Sequence, residues 1–128
     1  MPESQPEVGS VAWTDLTVAD AEGVRDFYAA VVGWKPEAVG MGDYSDYTMC
    51  APGSGTGVAG VCHARGVNAG LPAQWLVYIV VEDVDAAAAR CEAKGGRVLV
   101  APKRLGGGRY CVIQDPAGAV CALSQAKA

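Results

Sequence analysis

The sequence predicts an α+β fold in which two βαβββ modules form an eight-stranded, partly open, barrel-like sheet around a cleft. The stretch WTDLTVADAEGVRDFYAAVVGW at 13–34 has the pattern of a strand, a turn and a helix, and a similar stretch, LVYIVVEDVDAAAARCEAKGGR, returns at 76–97. Three short β-rich segments follow each predicted helix. At 128 residues the chain has room for one core. We therefore expect a single domain over 1–128, with module one at about 9–64, a linker at 65–73 and module two at about 74–126.

The first strand of each module is apolar and ends near an acidic residue. VAWTDLTV alternates in polarity, whereas QWLVYIVV is more continuously apolar, as a strand buried on both faces would be. Asp20 and Asp83 follow these strands and are placed to cap the helices that begin next.

The two predicted helices cover about 21–33 and about 84–94. Each places apolar residues at i, i+3, i+4 and i+7 spacing, which predicts one packed stripe per helix. The stripes consist of Val24, Phe27, Tyr28 and Val31 in the first helix, and of Val84, Ala87, Ala88 and Cys91 in the second. Gly33 and the pair Gly95–Gly96 are expected to end the helices, because glycine accepts the left-handed conformation there.

The remaining strands are predicted from three short segments per module. They are KPEAV, YSDYTMC and TGVAGVCHA in module one, and RVLVAP, GRYCVIQ and AVCALSQ in module two. A shift of 63 positions, as from Tyr47 to Tyr110, relates the two sets. The glycine run LGGGR at 105–109 follows no P-loop pattern, so we expect a flexible hairpin turn or lid.

Charge and composition exclude several functions. The formal net charge of −4 argues against nucleic acid and against an acidic membrane surface. The polar start MPESQPEVGS is expected to be a loose arm, and no apolar run reaches the roughly 20 residues of a membrane span. Five cysteines, an odd number without a CxxC pair, favour reduced thiols and a cytoplasmic location.

These motifs give the chain a resemblance to a known family. The elements FYAAVVGW, WLVYIVVEDVDAAAARCEAKGGRVLVAP and DPAGAVCALSQ resemble the vicinal oxygen chelate superfamily of glyoxalase I, bleomycin-resistance proteins and extradiol dioxygenases. The resemblance covers about residues 9–125 and implies the two-module barrel. It also implies metal ligands, usually His, Gln or Glu, on the first and last strand of each module.

The ligand positions implied by the resemblance hold no metal-binding side chain here. They align with Trp13, Ala59, Leu76 and Ala122. Zinc, iron and nickel sites need imidazole, carboxylate or thiolate donors, and the chain has one histidine. We therefore predict a member of the family without a metal and without another cofactor.

Strand alternation predicts which side chains line the cleft. Residues two positions apart from the lost ligand sites should face the same cavity, which selects Trp13, Asp15, Tyr47, Met49, Ala59, Val61, His63, Leu76, Tyr78, Tyr110, Val112, Ala122 and Ser124. This lining is mostly apolar and aromatic, which suits a small organic ligand. From it we name as ligand contacts Trp13, Tyr47, Met49, Leu76, Tyr110 and Ser124.

Three residues are candidates for acid–base catalysis. Asp15 and Tyr78 are related by the repeat and could face each other across the cleft, although a purely structural hydrogen bond is the favoured role for Asp15. His63 is the one side chain that titrates near neutral pH, and a place at the rim or surface is favoured for it. Its neighbour Cys62 should point to the opposite face, which excludes a thiolate–imidazole pair.

The leading function is metal-independent binding of a small, largely apolar or aromatic molecule, as in the drug-sequestering members of the family. The alternative is a glyoxalase-like enzyme, such as a lyase or isomerase, that uses Asp15, His63 or Tyr78 without a metal. A third reading is a protein-interaction module with a vestigial cleft, which predicts a large exposed apolar patch. The resemblance also implies a homodimer.

Overall fold

The computed structural model describes residues 6–125, and the chain divides into two compact units. We call residues 13–75 the first unit, and residues 6–12 together with 76–125 the second unit. The prediction that the whole chain is one domain stays a prediction.

The first unit is a four-stranded sheet with one helix. Its elements are β1 (Val11–Val18, whose first two residues group with the second unit), α1 (Ala21–Val32), β2 (Lys35–Gly40), β3 (Ser45–Cys50), β4 (Gly57–His63) and a short 3-10 helix (Gly66–Asn68). The strand order is β2-β3-β4-β1. Strand β1 runs parallel to β4, whereas β2, β3 and β4 pair antiparallel.

The second unit repeats this plan. Its elements are β5 (Trp75–Val80, whose first residue groups with the first unit), α2 (Val84–Ala93), β6 (Arg97–Leu105), β7 (Gly108–Gln114) and β8 (Val120–Gln125). The order is β5-β8-β7-β6, again with the first and last strands of the module parallel. The predicted α+β class, with two βαβββ modules and eight strands, is confirmed.

Both helices begin and end as the sequence predicts. The carboxylates of Asp20 and Asp83 accept hydrogen bonds from the backbone N–H groups of Gly23 and Ala86 at 2.9 and 3.1 Å. These bonds satisfy amides that have no partner within the helix. Gly33 has φ +86° and ends α1 in the left-handed conformation.

The helices differ in how much of the predicted stripe they bury. In α2, Val84, Ala87 and Ala88 are buried against Cys111 and Leu123 of the sheet. In α1, Ala21 is buried, but Phe27 and Val31 are 56% and 64% exposed. The prediction that these two residues pack is wrong, because α1 contacts its sheet through Ala21, Val24 and Tyr28 on a narrower stripe.

The repeat offset is not constant along the modules. Asp15 pairs with Gly60, and its counterpart Tyr78 pairs with Ala122. Counterparts in β1 and β5 are therefore 63 positions apart, whereas counterparts in β4 and β8 are 62 positions apart. Tyr47 pairs with Val61, and the equivalent pair in the second unit is Cys111 with Leu123. Tyr47 is therefore the structural counterpart of Cys111, and the correspondence with Tyr110 that a shift of 63 predicts is wrong.

The predicted loose arm is partly ordered. Residues 1–5 lie outside the described part of the chain. Gly9 donates its backbone N–H to the carbonyl of Val80 at 2.8 Å, and the N–H of Val80 donates to the carbonyl of Ser10 at 2.9 Å. The arm is thus joined to β5 at this point, because these two bonds continue the sheet pairing of the second unit.

We expect Gly96→Ala to destabilise the fold. A Cβ at this position would lie 2.6 Å from the Cys91 sulfur and 2.8 Å from the carbonyl oxygen of Gln114. Overpacking of this kind costs about 1–3 kcal/mol of the free energy of unfolding, which urea denaturation would measure. Gly70→Ala is the matched control, since a Cβ there meets no atom within 4 Å. Equal stability of the two variants would contradict the packing described for Gly96.

Candidate functional site

Each sheet has one face covered by its own helix and one face that the helix leaves uncovered, which we call the helix-free face. In the first unit, paired residues place Asp15, Gly60 and Thr48 side by side on the helix-free face. A second row, one step along the strands, contains Thr17, Cys62 and Asp46. This face therefore carries two carboxyl groups, two hydroxyls and one thiol. Asp15 and Thr17 are buried, with 9% and 5% exposure.

Trp13 covers the middle of this face. A Cβ built on Gly60 would lie 3.0 Å from the Asp15 Cβ and 3.6 Å from the indole nitrogen of Trp13. Because glycine has no side chain, the indole ring can lie directly on the β4 backbone. The predictions that placed Trp13 and Asp15 on a common face agree with this arrangement, and their roles stay predictions.

Tyr47 and Met49 occupy the other face of the first unit. Both are buried in the cluster that packs beneath α1, together with Ala59 and Val61. The prediction that they share a face with Trp13 and Asp15 is wrong. The alternation in β3 and β4 is one residue out of phase with the predicted register, so the helix-free positions of β4 are Gly60 and Cys62.

The same register places the His63 side chain on the face of the sheet opposite to Asp15. Its ring nitrogen Nδ1 lies 3.3 Å from the Asp46 carboxylate, which also accepts the His63 backbone N–H at 2.9 Å. The ring meets Tyr44 edge-on, with 5.4 Å between centroids. His63 thus belongs to a polar cluster at the strand ends, and its predicted rim location and catalytic role stay predictions.

Asp46 was not predicted as a site residue from the sequence, although it interacts with both His63 and Cys62. Its carboxylate contacts the backbone and ring of His63, and it also contributes to the raised pKa of the Cys62 thiol. Burial, and then the negative charges of Asp15 and Asp46, raise the pKa of Cys62 well above its usual range. A thiol held protonated in this way is a poor nucleophile and a poor metal ligand.

The helix-free face of the second unit is aromatic. Its rows are Tyr78, Ala122 and Val112, followed by Val80, Ser124 and Tyr110. The rings of Tyr78 and Tyr110 stack with centroids 6.4 Å apart, and both are buried. The predicted contacts Leu76, Tyr110 and Ser124 and the catalytic candidate Tyr78 therefore lie on one face, as the alternation of β5, β7 and β8 requires, and their roles stay predictions.

A cavity of about 200 Å³ opens at the end of this aromatic face. It is lined by Pro6, Ala12, Val80, Leu105, Gly108, Arg109, Ser124 and Gln125. Val80 and Ser124 are the shared members of the cavity and of the Tyr110 row. The cavity therefore lies beside the row that contains Tyr110, although neither tyrosine lines it.

The polar groups of this cavity are held in place by the start of α2. Arg109 forms a two-point ion pair with Asp85, at 2.9 and 3.2 Å. The Gln125 carboxamide oxygen accepts the Val84 backbone N–H at 2.7 Å. Sequence reasoning missed both residues, because neither position carries a pattern that marks a cavity before the hairpin and helix are placed.

Among residues 6–125, no group of three or more His, Cys, Asp or Glu side chains is arranged to hold a metal ion. Ala59, one of the four positions aligned with family ligands, lies beneath α1. The neighbouring residue on the helix-free face is Gly60. Neither residue has a donor side chain, so correcting the register restores no ligand.

In the described part of the chain, neither helix has the length and apolar composition needed to cross a bilayer.

All five cysteines are free thiols.

The sequence and this architecture define the family. Residues 10–123 match the model of the Glyoxalase/Bleomycin resistance protein/Dioxygenase superfamily. The chain belongs to this superfamily, as the resemblance implied.

Three proteins are similar to this chain, one in sequence and two in fold. The anthracycline biosynthesis protein DnrV of Streptomyces peucetius is 34% identical over 131 residues, which cover 90% of this chain and 46% of DnrV. The chain thus spans about half the length of this curated relative. Methylmalonyl-CoA epimerase from Mycobacterium tuberculosis shares the fold, with a TM-score of 0.57, 19% identity, and coverage of 94% of this chain and 89% of the epimerase. An Mn(II)-bound glyoxalase from Novosphingobium aromaticivorans has a TM-score of 0.58 at 23% identity, covering 94% of this chain and 42% of its own.

We expect three cysteines to resist alkylation in the folded protein at pH 8. Burial raises the pKa of Cys111 to about 11 and raises the pKa values of Cys62 and Cys121. Since only the thiolate reacts, iodoacetamide labelling followed by peptide mass spectrometry should find these thiols modified after unfolding and protected before it. Asp46→Asn should speed the labelling of Cys62, because it removes a charge that opposes ionisation. Rapid labelling of Cys62 in the native protein would contradict its described environment.

Proposed function

We propose that the chain binds a small, largely apolar or aromatic organic molecule without a metal ion. The observation that carries this proposal is the cavity beside Val80 and Ser124, which adjoins the stacked rings of Tyr78 and Tyr110. Apolar walls with a few fixed polar groups are typical of small-molecule sites. Its volume of about 200 Å³ is smaller than a drug-sized site, so the ligand is either small or extends over the aromatic face.

Metal independence is supported by the chemistry of the available donors. The helix-free face of the first unit carries Asp15 and Asp46 but no imidazole, and its one thiol, Cys62, has a raised pKa. Zinc, nickel and copper sites in proteins usually include imidazole or thiolate ligands beside any carboxylate.

The relatives suggest the kind of ligand to try first. DnrV is named for anthracycline biosynthesis, and anthracyclines contain a planar fused-ring system. Planar rings stack well on tyrosine and tryptophan. We therefore propose a planar aromatic ligand, with Leu76, Tyr110 and Ser124 of the second unit as contacts.

A blocked cavity should abolish this binding. We expect Ser124→Leu to weaken the binding of a neutral anthraquinone at least about tenfold, a loss of roughly 1.4 kcal/mol, because the larger side chain fills the cavity. Isothermal titration calorimetry measures the affinity, and Ala101→Leu on an exposed position of β6 is the control. Protein treated with EDTA should bind equally well. Binding that appears only after addition of Zn, Ni, Mn or Fe(II) would overturn the metal-independent proposal.

Acid–base catalysis is a second candidate, favoured by the burial of the Asp15 carboxyl group. A buried carboxyl can take a proton from a carbon next to a carbonyl. The test is proton exchange in D₂O, followed by NMR, with carbonyl compounds that the protein binds. Exchange that is lost in Asp15→Asn would establish an enzyme, whereas no exchange with any bound compound would leave a binding protein.

The homodimer also remains a proposal, supported by one observation. The apolar side chains of Phe27 and Val31 are more than half exposed on α1. We expect Phe27→Glu to convert a dimer into a monomer in analytical ultracentrifugation. Glu22→Ala, on the same helix, should leave the mass unchanged. A wild-type protein that sediments as a monomer would refute the dimer. The cytoplasmic location stays a prediction.

A further inference from the structure

The glycine-rich hairpin of the second unit brings two arginines together. Arg104 on β6 pairs directly with Arg109 on β7, and Leu105 pairs with Gly108. Only Gly106 and Gly107 remain in the turn, and Gly106 has φ +60°. A two-residue loop with a positive φ at its first position is typical of a type II′ turn. The hairpin is therefore regular, and the two guanidinium groups are fixed on neighbouring strands.

The two positive charges are unequally compensated. Asp85 takes two of the N–H donors of Arg109, and a guanidinium has five. Arg104 is exposed and has no carboxylate within ion-pair distance among the described residues. Like charges directly opposite each other on paired strands destabilise a sheet. An anion placed between them would remove this repulsion.

A cavity is present at this place. Its volume is about 270 Å³, and it is lined by Arg104, Gly106, Gly107, Gly108 and Arg109. Every charged residue of this lining is positive. On another side of Arg109 lies a cavity lined by three carboxylates, Glu82, Asp83 and Asp85, and by Arg90 and Arg109. Its charged groups are predominantly negative, which makes it less favourable for an anion. The charges therefore favour anion binding on the hairpin side.

The hairpin cavity adjoins the apolar cavity described above. The two share Gly108 and Arg109. A molecule whose ring lies beside Val80 and Ser124 can thus reach the arginines with a charged substituent. Planar guanidinium groups bind carboxylate and phosphate oxygens through paired hydrogen bonds.

We propose that the ligand is an amphipathic anion: a small apolar or aromatic body that carries a carboxylate or phosphate group held between Arg104 and Arg109. This inference rests on the proposed function, because the apolar part occupies the same cavity.

The test compares ligands that differ only in charge. Calorimetry would measure 2-naphthoate, 2-naphthyl phosphate and the neutral 2-naphthamide on the wild-type protein. We expect at least one anion to bind about tenfold more tightly than the amide, and the anion that does so identifies the group. Raising NaCl from about 50 to about 500 mM should weaken the anion and leave the amide unchanged, since salt screens charges.

Variants then locate the site. Arg104→Gln should remove the preference for the anion without changing the affinity of the amide, because Arg104 does not line the apolar cavity. Arg109→Gln should also remove the preference. Both side chains are at least partly exposed, so circular dichroism should show a native fold. Arg97→Gln, on the same strand as Arg104 but outside all three cavities, should retain the preference.

The outcomes separate the two proposals. Equal binding of amide and anions would overturn the anion site and leave the proposed function intact. Loss of the preference in Arg97→Gln to the same extent would also overturn it, because the effect would then reflect overall charge. Failure of all three compounds to bind, together with failure of the anthraquinone, would overturn both.

Discussion

The packing of each helix on one face of its own sheet is the constraint on which the rest of the structure depends. In the second unit, Val84, Ala87 and Ala88 press α2 onto Cys111 and Leu123. In the first, Ala21 brings α1 close to Tyr47 and Met49. Because strand side chains alternate between faces, this packing decides which residues remain on the helix-free face.

One backbone plan thus carries two different chemistries. The helix-free face of the first unit presents Asp15, Asp46 and hydroxyl groups, with Trp13 lying on Gly60. The equivalent positions of the second unit carry Tyr78, Tyr110 and Ser124. Charged and aromatic side chains are therefore divided between the two modules.

The strands, helices and caps could be predicted because they depend on local signals. Alternating residues, the capping carboxylates of Asp20 and Asp83, and the glycines after each helix are all read within a few positions. Alternation also grouped Tyr78, Tyr110 and Ser124 correctly.

The faces of Tyr47 and Met49 could not be predicted, because they depend on the pairing of β3 with β4. That register is set by the connecting turn and by an irregularity between Met49 and Cys50, and a slip of one residue inverts a whole strand. The roles of Arg109 and Gln125 depend on contacts with α2 that are distant in sequence. Periodicity within one segment does not contain that information.

The two-residue turn at Gly106 and Gly107 has a consequence for how this protein can change. The turn fixes which residues of β6 and β7 stand opposite each other, so inserting one residue would move Arg109 out of line with Arg104 and alter both adjoining cavities at once. Substituting Arg104 or Arg109 would instead preserve the pairing of β6 with β7 and change only the charge at these positions. In laboratory evolution, substitutions at these two sites would therefore change one property of the cavities at a time. Lengthening the turn would change their shape and their charge together.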